Sequence, residues 1–119
     1  MKSIDFLKEK KIDVDNSLEL LGDIETYNEI LEEFYNNIED RLSKIDNYKN
    51  SNDMENYSIE VHAMKSDSKY LGFTKLAEIA LNHQTESEKN NTNYINEHYK
   101  ELTDEANKII SIIKEYLSK

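Results

Sequence analysis

The segment MENYSIEVHAMKSDSKYLG, residues 54–72, carries the pattern that decides the fold. Its apolar and small residues recur at alternating intervals of three and four positions, which is the period of one face of an α-helix. These residues form a single stripe: Met54, Tyr57, Val61, Met64, Ser68 and Leu71. Gly72 follows directly, at a position where helices commonly end. The segment therefore predicts one long helix, over about residues 53–70, that is buried along one face.

Similar stripes predict three more long helices, over about residues 23–49, 73–88 and 93–117. The chain has no proline and only two glycines, so little interrupts helices of this length. The expected inward residues of these helices are Tyr27, Leu31, Phe34, Ile38, Leu42, Ile45 and Tyr48, then Phe73, Leu76, Ala77 and Ala80, then Ile95, Tyr99, Leu102, Ala106, Ile109, Ile113 and Tyr116.

A short helix is predicted before these, over residues 15–21, with Asp15 or Asn16 as its N-cap and Gly22 as its end. Asp23 is the expected N-cap of the next helix. The first residues, with Ile4, Phe6 and Leu7, can add another turn whose position the sequence does not assign.

Together these segments predict an all-α protein. Short polar connections favour antiparallel neighbours, so we expect an up-down-up-down four-helix bundle with a short additional N-terminal helix. Residues 1–119 are expected to form one domain, with the bundle core over about 23–117 and the short helix at one end.

The composition excludes several classes of function. A net charge of −10 argues against nucleic acid as a partner, and no stretch is apolar enough to insert in a membrane. The absence of cysteine excludes thiolate metal sites and suits a cytoplasmic protein. Arg41 is the only arginine, and two glycines cannot build a glycine-rich phosphate loop. Kinase and nucleotide hydrolase activities are therefore not expected.

His62 lies on the opposite side of its predicted helix from the buried stripe. At about 100° per residue, its side chain points roughly 140° away from the centre of the stripe. The residues on or beside its face are Ser58, Ile59, Lys65, Ser66 and Lys69. Asp67, by contrast, projects away from His62. The pattern predicts an exposed histidine on a convex helix surface.

This face has the chemistry of a phosphoryl acceptor. A neutral imidazole is a good nucleophile, and a histidine with the ordinary pKa of about 6.5 is mostly neutral in the cell. Lys65, one turn away, can offset the charge of a phosphoryl group, and the small Ser58 and Ser66 allow a partner's backbone to approach. On spacing alone, however, an outward histidine beside a lysine is more often an ordinary solvated residue.

The other residues of interest favour structural roles. Ser68 falls in the buried stripe, where a small side chain lets a neighbouring helix come near and its hydroxyl can bond the carbonyl four residues earlier. His83 and His98 lack a basic residue three positions later, so we expect them to be structural or merely exposed. No metal-ligand pair such as H-E-x-x-H occurs, and we expect no metal site.

The stretch HAMKSDSKYLG, residues 62–72, resembles the signature of the histidine-containing phosphotransfer (HPt) domain. The matching residues are His62, Lys65, Ser66, Ser68, Leu71 and Gly72. FTKLAEIALNHQ (73–84) is similar to the family's following helix, and IDVDNSLELLGDIETYNEILEEFY (12–35) is similar to its N-terminal segment. One departure lies in NHQTESEKNN (82–91), where a glutamine and polar residues replace the usual glutamate and small residues. We expect this departure not to touch the acceptor.

The resemblance implies a phosphorelay carrier without an ATP site or cofactor of its own. His62 would accept a phosphoryl group from the aspartate of a receiver domain and pass it to another, with Lys65 supporting the charge. The receiver would supply Mg²⁺. Docking is expected on the His62 face and the short N-terminal helix, where Leu18 or Leu21 would leave apolar area exposed beside Ile59. We expect a bacterial, monomeric protein, similar to the HPt domains that end hybrid sensor kinases.

Two other functions stay open on the sequence. A non-phosphorylated interaction module of the same fold would bind a partner without transferring anything, although such a module is expected to lose His62 or Lys65. A structural or dimerising bundle would need apolar residues on two faces of a helix, and the segment 54–72 shows only one such face.

Overall fold

A computed structural model describes all residues, 1–119, and contains six helices and no strand. The helices are α1 (Ile4–Glu9), α2 (Val14–Leu21), α3 (Ile24–Asn50), α4 (Met54–Leu71), α5 (Thr74–Glu88) and α6 (Thr92–Leu117). The predicted all-α class is confirmed, and each predicted helix begins and ends within one residue of the observed one. None of the six is both long and apolar enough to cross a membrane.

The N-terminal region holds two short helices: the predicted α2, and α1, which forms at the further turn whose position the sequence did not assign. α1 forms because Leu7 is fully buried against the rest of the protein. The backbone N–H of Lys2 also donates to the carbonyl of Tyr116 at 2.8 Å, which ties the start of the chain to the end of α6. Tertiary contacts of this kind stabilise a helix that is too short to form alone.

Asp or Asn side chains cap the first turn of four helices. In each, the side chain accepts a hydrogen bond from the backbone N–H three residues later, which satisfies a donor that the helix leaves free. The caps are Asp13, Asp23, Asp53 and Asn91. The Asp23 cap is as predicted. The prediction of Asp15 or Asn16 for α2 was wrong, because Asp13 is the cap and Asn16 is the donor that it binds.

The four long helices pack in a closed ring. α4 lies between α3 and α5, while α6 closes the ring against α5 and α3. α2 packs on α3 and α4, and α1 packs on α2 and α6. All six residues of the predicted α4 stripe are buried, as are most inward residues predicted for the other three helices.

Several tyrosines join helices through their hydroxyl groups, with the ring in the core. Tyr27 donates to the carbonyl of Leu71 at 2.9 Å, and Tyr116 donates to Oδ1 of Asn28 at 2.7 Å. Ser68 behaves differently from the prediction. Its side chain is fully buried, but its hydroxyl has no hydrogen-bond partner, so the expected bond to the carbonyl four residues earlier is not made.

Gly72 fixes the end of α4 against the start of α2. Its φ of +86° lies in the left-handed region, which strains any residue with a Cβ. Its carbonyl accepts the N–H of Asp13 at 3.0 Å, and a Cβ on Gly72 would stand 2.6 Å from the Asp13 carbonyl oxygen. Only glycine therefore allows the two backbones to come this close.

We predict that Gly72→Ala lowers the free energy of unfolding by about 3 kcal/mol, because left-handed strain adds to the collision with Asp13. Gly22 is the matched control. Its φ is +96°, but a Cβ there would meet nothing within 4 Å. Gly22→Ala should cost only the backbone strain, about 2 kcal/mol, because its ψ of −47° lies outside the left-handed α region. Urea unfolding of both variants measures the difference, and equal losses would show that the approach of Asp13 has no energetic consequence.

Candidate functional site

His62 is exposed on the outer face of α4, as its angular position predicts. Its ring lies at a shallow depression between α4 and α5, which is lined by Ser58, Ile59, His62, Gln84 and Glu88. The Ser58 hydroxyl donates to the carbonyl of Glu55 at 2.7 Å, so it is already satisfied by the helix backbone. The imidazole is thus the one group of this depression that is both exposed and nucleophilic.

Gln84 holds one nitrogen of the His62 ring. Nδ1 of His62 lies 3.1 Å from Oε1 of Gln84. With the amide oriented this way, the oxygen can only accept, so Nδ1 carries the proton and donates it. Nε2 then keeps its lone pair and has no partner within the protein. The expectation that the glutamine of residues 82–91 does not touch the acceptor was therefore wrong.

Lys65 lies on the α2 side of the same helix face. A second shallow depression there is lined by Leu20, Lys65, Ser66, Lys69 and Tyr70. Its two lysines make no ion pair with the protein. α4 therefore presents an exposed imidazole toward α5 and two free ammonium groups toward α2. The predicted residues Ser58 and Ile59 lie in the first depression, and Ser66 and Lys69 lie in the second.

The exposed apolar residue of α2 differs from the prediction. Leu18 and Leu21 are half-buried and pack against the core, whereas Leu20 is 53% exposed in the depression with Lys65. Ile59 is 57% exposed, but it lies on the α5 side and not beside α2. The reason is the register of α2: Leu18 and Leu21 are three positions apart on its inward face, and Leu20 points outward.

Comparison with known proteins places the chain in a family. A sequence model of the Hpt domain matches residues 29–111, which is more than half of the chain. The chain belongs to the Hpt domain family. Hpt domains act in histidine phosphotransfer during phosphorelay signalling, and they interact with receiver domains. No curated protein and no solved structure matched the chain.

The Hpt match includes His62, Gln84 and both lysines of the α4 face, and it begins after α2. α1 and α2 thus lie outside the matched part, although Leu20 of α2 completes the depression that holds Lys65. Ser68, Leu71 and Gly72 of the predicted motif have structural roles in this Hpt domain. The first two are fully buried, and Gly72 joins α4 to α2.

His83 is a structural residue of this Hpt domain. It is fully buried, and Nε2 lies 3.2 Å from the carbonyl oxygen of His98, so Nε2 carries the proton. Nδ1 lies 2.8 Å from the Tyr57 hydroxyl and accepts a hydrogen bond from it. Burial lowers the pKa of His83 to about 4, which keeps the ring neutral. This network joins α4, α5 and α6 beneath the helix face that carries Gln84.

Acidic residues do not form a metal centre in this Hpt domain. No three His, Asp or Glu side chains converge where they could hold a metal ion. Asp67 points away from His62, as predicted, into a groove toward α3 with Arg41 and Glu33. Burial raises the pKa of Asp67, and the charge of Arg41 opposes that rise.

We predict that protonation of His83 destabilises the fold in acid. Below pH 6.5 the unfolded chain binds a proton at His83, but the folded protein does not until about pH 4. The contribution of His83 to the free energy of unfolding is therefore lost as the pH falls across that interval. The loss amounts to about 3 kcal/mol in total.

Urea unfolding across this pH interval tests the effect. His83→Gln should show a smaller loss of stability than the wild type. Parallel pH profiles for the wild type and His83→Gln would contradict the assignment.

Proposed function

We propose that His62 accepts a phosphoryl group from the aspartate of a receiver domain and passes it to the aspartate of a second receiver. The observation that carries this proposal is the orientation of the ring. Gln84 binds Nδ1, which leaves Nε2 with a free lone pair on an exposed side chain of α4. A nucleophile that must enter another protein's active site has to be exposed in this way, on a rigid element.

The transfer step balances as an in-line displacement. The Nε2 lone pair attacks phosphorus, the N–P bond forms, and the bond between phosphorus and the aspartate oxygen breaks, which returns the aspartate as a carboxylate. No proton has to leave the ring during this step, because the proton is already on Nδ1. The ring becomes cationic as the bond forms, and the Gln84 carbonyl oxygen stabilises that charge through the hydrogen bond it accepts.

Lys65 and Lys69 supply positive charge on the α2 side of the site. Neither forms an ion pair in the unphosphorylated protein, so both are available to the phosphoryl oxygens. Glu88 lies in the depression on the opposite side of His62. The resulting electrostatic gradient across the ring favours a phosphoryl group that leans toward α2.

The receiver would supply the metal ion for the transfer. A Mg²⁺ ion held by the receiver would neutralise charge on the transferring phosphoryl group. This chain contributes the nucleophile, its orientation and two lysines, and it needs no cofactor of its own.

A docking surface for the receiver surrounds the ring. Ile59 on one side and Leu20 and Tyr70 on the other are exposed apolar residues, at 57%, 53% and 51%. They flank His62 and Lys65, so the receiver can bury apolar area while its aspartate approaches Nε2. A shuttle requires weak, transient association with its receivers.

The same proposal includes the antiparallel up-down-up-down order of the four long helices. Hydrogen-bonded pairs support it. Tyr116, late in α6, meets Asn28, early in α3, while Tyr99, early in α6, meets Asp46, late in α3. The single-domain organisation, the monomeric state, the cytoplasmic location, the bacterial source and the origin in a hybrid sensor kinase stay predictions.

Phosphoryl transfer from a phosphorylated receiver domain tests the proposal. The wild type should acquire an acid-labile, base-stable label, and His62→Gln should acquire none. Because His62 is exposed, the variant should keep the helicity and melting temperature of the wild type. His98→Gln should be labelled like the wild type. Absence of label from several receivers, with an intact fold, would reject the proposal in favour of a non-phosphorylated interaction module.

The same assay distinguishes residues that bind the receiver from residues that take part in the transfer step. Leu20→Ser should lower the transfer rate at limiting receiver concentration by roughly three- to tenfold, while excess receiver restores it. An unchanged transfer rate for Leu20→Ser at limiting receiver concentration would show that the surface is placed wrongly.

A further inference from the structure

A depression remote from His62 concentrates positive charge. It has a volume of about 230 Å³ and lies where the α1–α2 turn, the start of α5 and the middle of α6 meet. Its charged and polar lining residues are Lys10, Lys11, Thr74, Lys75, Glu105 and Lys108. Thus four lysines and a single carboxylate line one depression, in a chain whose net charge is −10.

Most of this positive charge is not neutralised within the protein. Lys10, Lys11 and Lys108 form no ion pair. Lys10 instead lies over the ring of Phe6, with Nζ 5.5 Å from its centroid. Lys75 lies 3.7 Å from Glu105, but its own side chain is 70% exposed. Several like charges held close together without counter-charges favour the binding of an anionic partner.

Glu105 determines which kind of anion fits. Its side chain is only 8% exposed, it lines the depression, and it accepts no hydrogen bond from the protein. A lone phosphate at the centre of the depression would meet this carboxylate and be repelled. Carboxylates spaced along a chain could instead pair with the lysines at the rim. A backbone N–H of that chain could then donate to Glu105, which has no donor of its own.

The apolar floor of the depression also favours a peptide with carboxylates over a lone phosphate. It is formed by apolar residues of three elements: Ile12, Phe73, Ile109 and Ile112. These residues are at most 7% exposed, so they offer a small apolar contact and not an area on which a membrane could lie. A peptide with one apolar side chain between acidic ones would place the apolar side chain on the floor and its carboxylates beside the lysines of the rim.

We propose that this depression binds an acidic segment of a partner protein, at a site separate from the phosphoryl acceptor. Along α5, Lys75 precedes Gln84 by nine residues, which corresponds to roughly 13 Å of helix. The depression also uses the α1–α2 turn and α6, neither of which lines the depression that holds His62. An acidic segment bound here would leave the His62 face free for a receiver.

The test is a titration of the ¹⁵N-labelled full chain with the capped peptide Glu-Leu-Glu-Glu-Leu-Glu, followed by amide chemical shifts. Saturable shifts are expected at Lys11, Thr74, Lys75 and Lys108. The double variant Lys75→Gln/Lys108→Gln should weaken binding by roughly three- to tenfold, and added salt should weaken binding to the wild type. The matched control Lys114→Gln/Lys119→Gln alters two lysines of a different surface depression and should bind as the wild type does.

Three results would overturn the proposal. The first is the absence of saturable shifts at millimolar peptide. The second is equal weakening by both double variants, which would indicate non-specific attraction. The third is binding of inorganic phosphate, at matched ionic strength, as tight as that of the peptide, which would make this a site for a small anion. His62→Gln should bind the peptide normally, so failure of this proposal and failure of the phosphotransfer proposal are distinguishable.

Discussion

Burial of a single face of α4 is the constraint on which the site depends. Six residues of that face are packed against the rest of the protein, and the helix cannot rotate without exposing them. His62 is consequently fixed on the outer face, between α2 and α5. At the end of the same helix, Gly72 brings the α4 backbone into hydrogen-bonding contact with Asp13. This contact positions α2, whose Leu20 then lies beside Lys65.

The packing of α5 on α4 orients the exposed ring of His62. His83, buried between these helices and α6, sets their spacing through its bonds to Tyr57 and the His98 carbonyl. The next residue, Gln84, reaches Nδ1 of His62. Two neighbouring residues of α5 thus have different roles. His83 stabilises the packing of the helices, and Gln84 leaves Nε2 as the only nitrogen of the His62 ring that is free to react.

Helical periodicity was enough to predict the helices and the direction of His62, because each depends on residues close together in the chain. The contact between His62 and Gln84 was missed, because a hydrogen bond across 22 residues depends on the register between two helices. The spacing of residues within either helix does not determine that register. The outward position of Leu20 follows from the spacing of Leu18 and Leu21 within α2, so it could have been predicted from the sequence. Residue spacing does not determine whether the Ser68 hydroxyl bonds the carbonyl four residues earlier. The Asp13 cap was locally encoded, but two acidic residues and an asparagine competed for that role.

The measurement that tests the account most directly is NMR of the phosphorylated protein with ¹⁵N in the imidazole rings. The account predicts that phosphorus couples to Nε2 of His62, and that Nδ1 keeps a proton protected from exchange by its bond to Gln84. In Gln84→Ala, that protection should be lost while Nε2 still carries the phosphoryl group. Phosphorus coupled to Nδ1 of His62, or to a ring nitrogen of His83 or His98, would contradict the account.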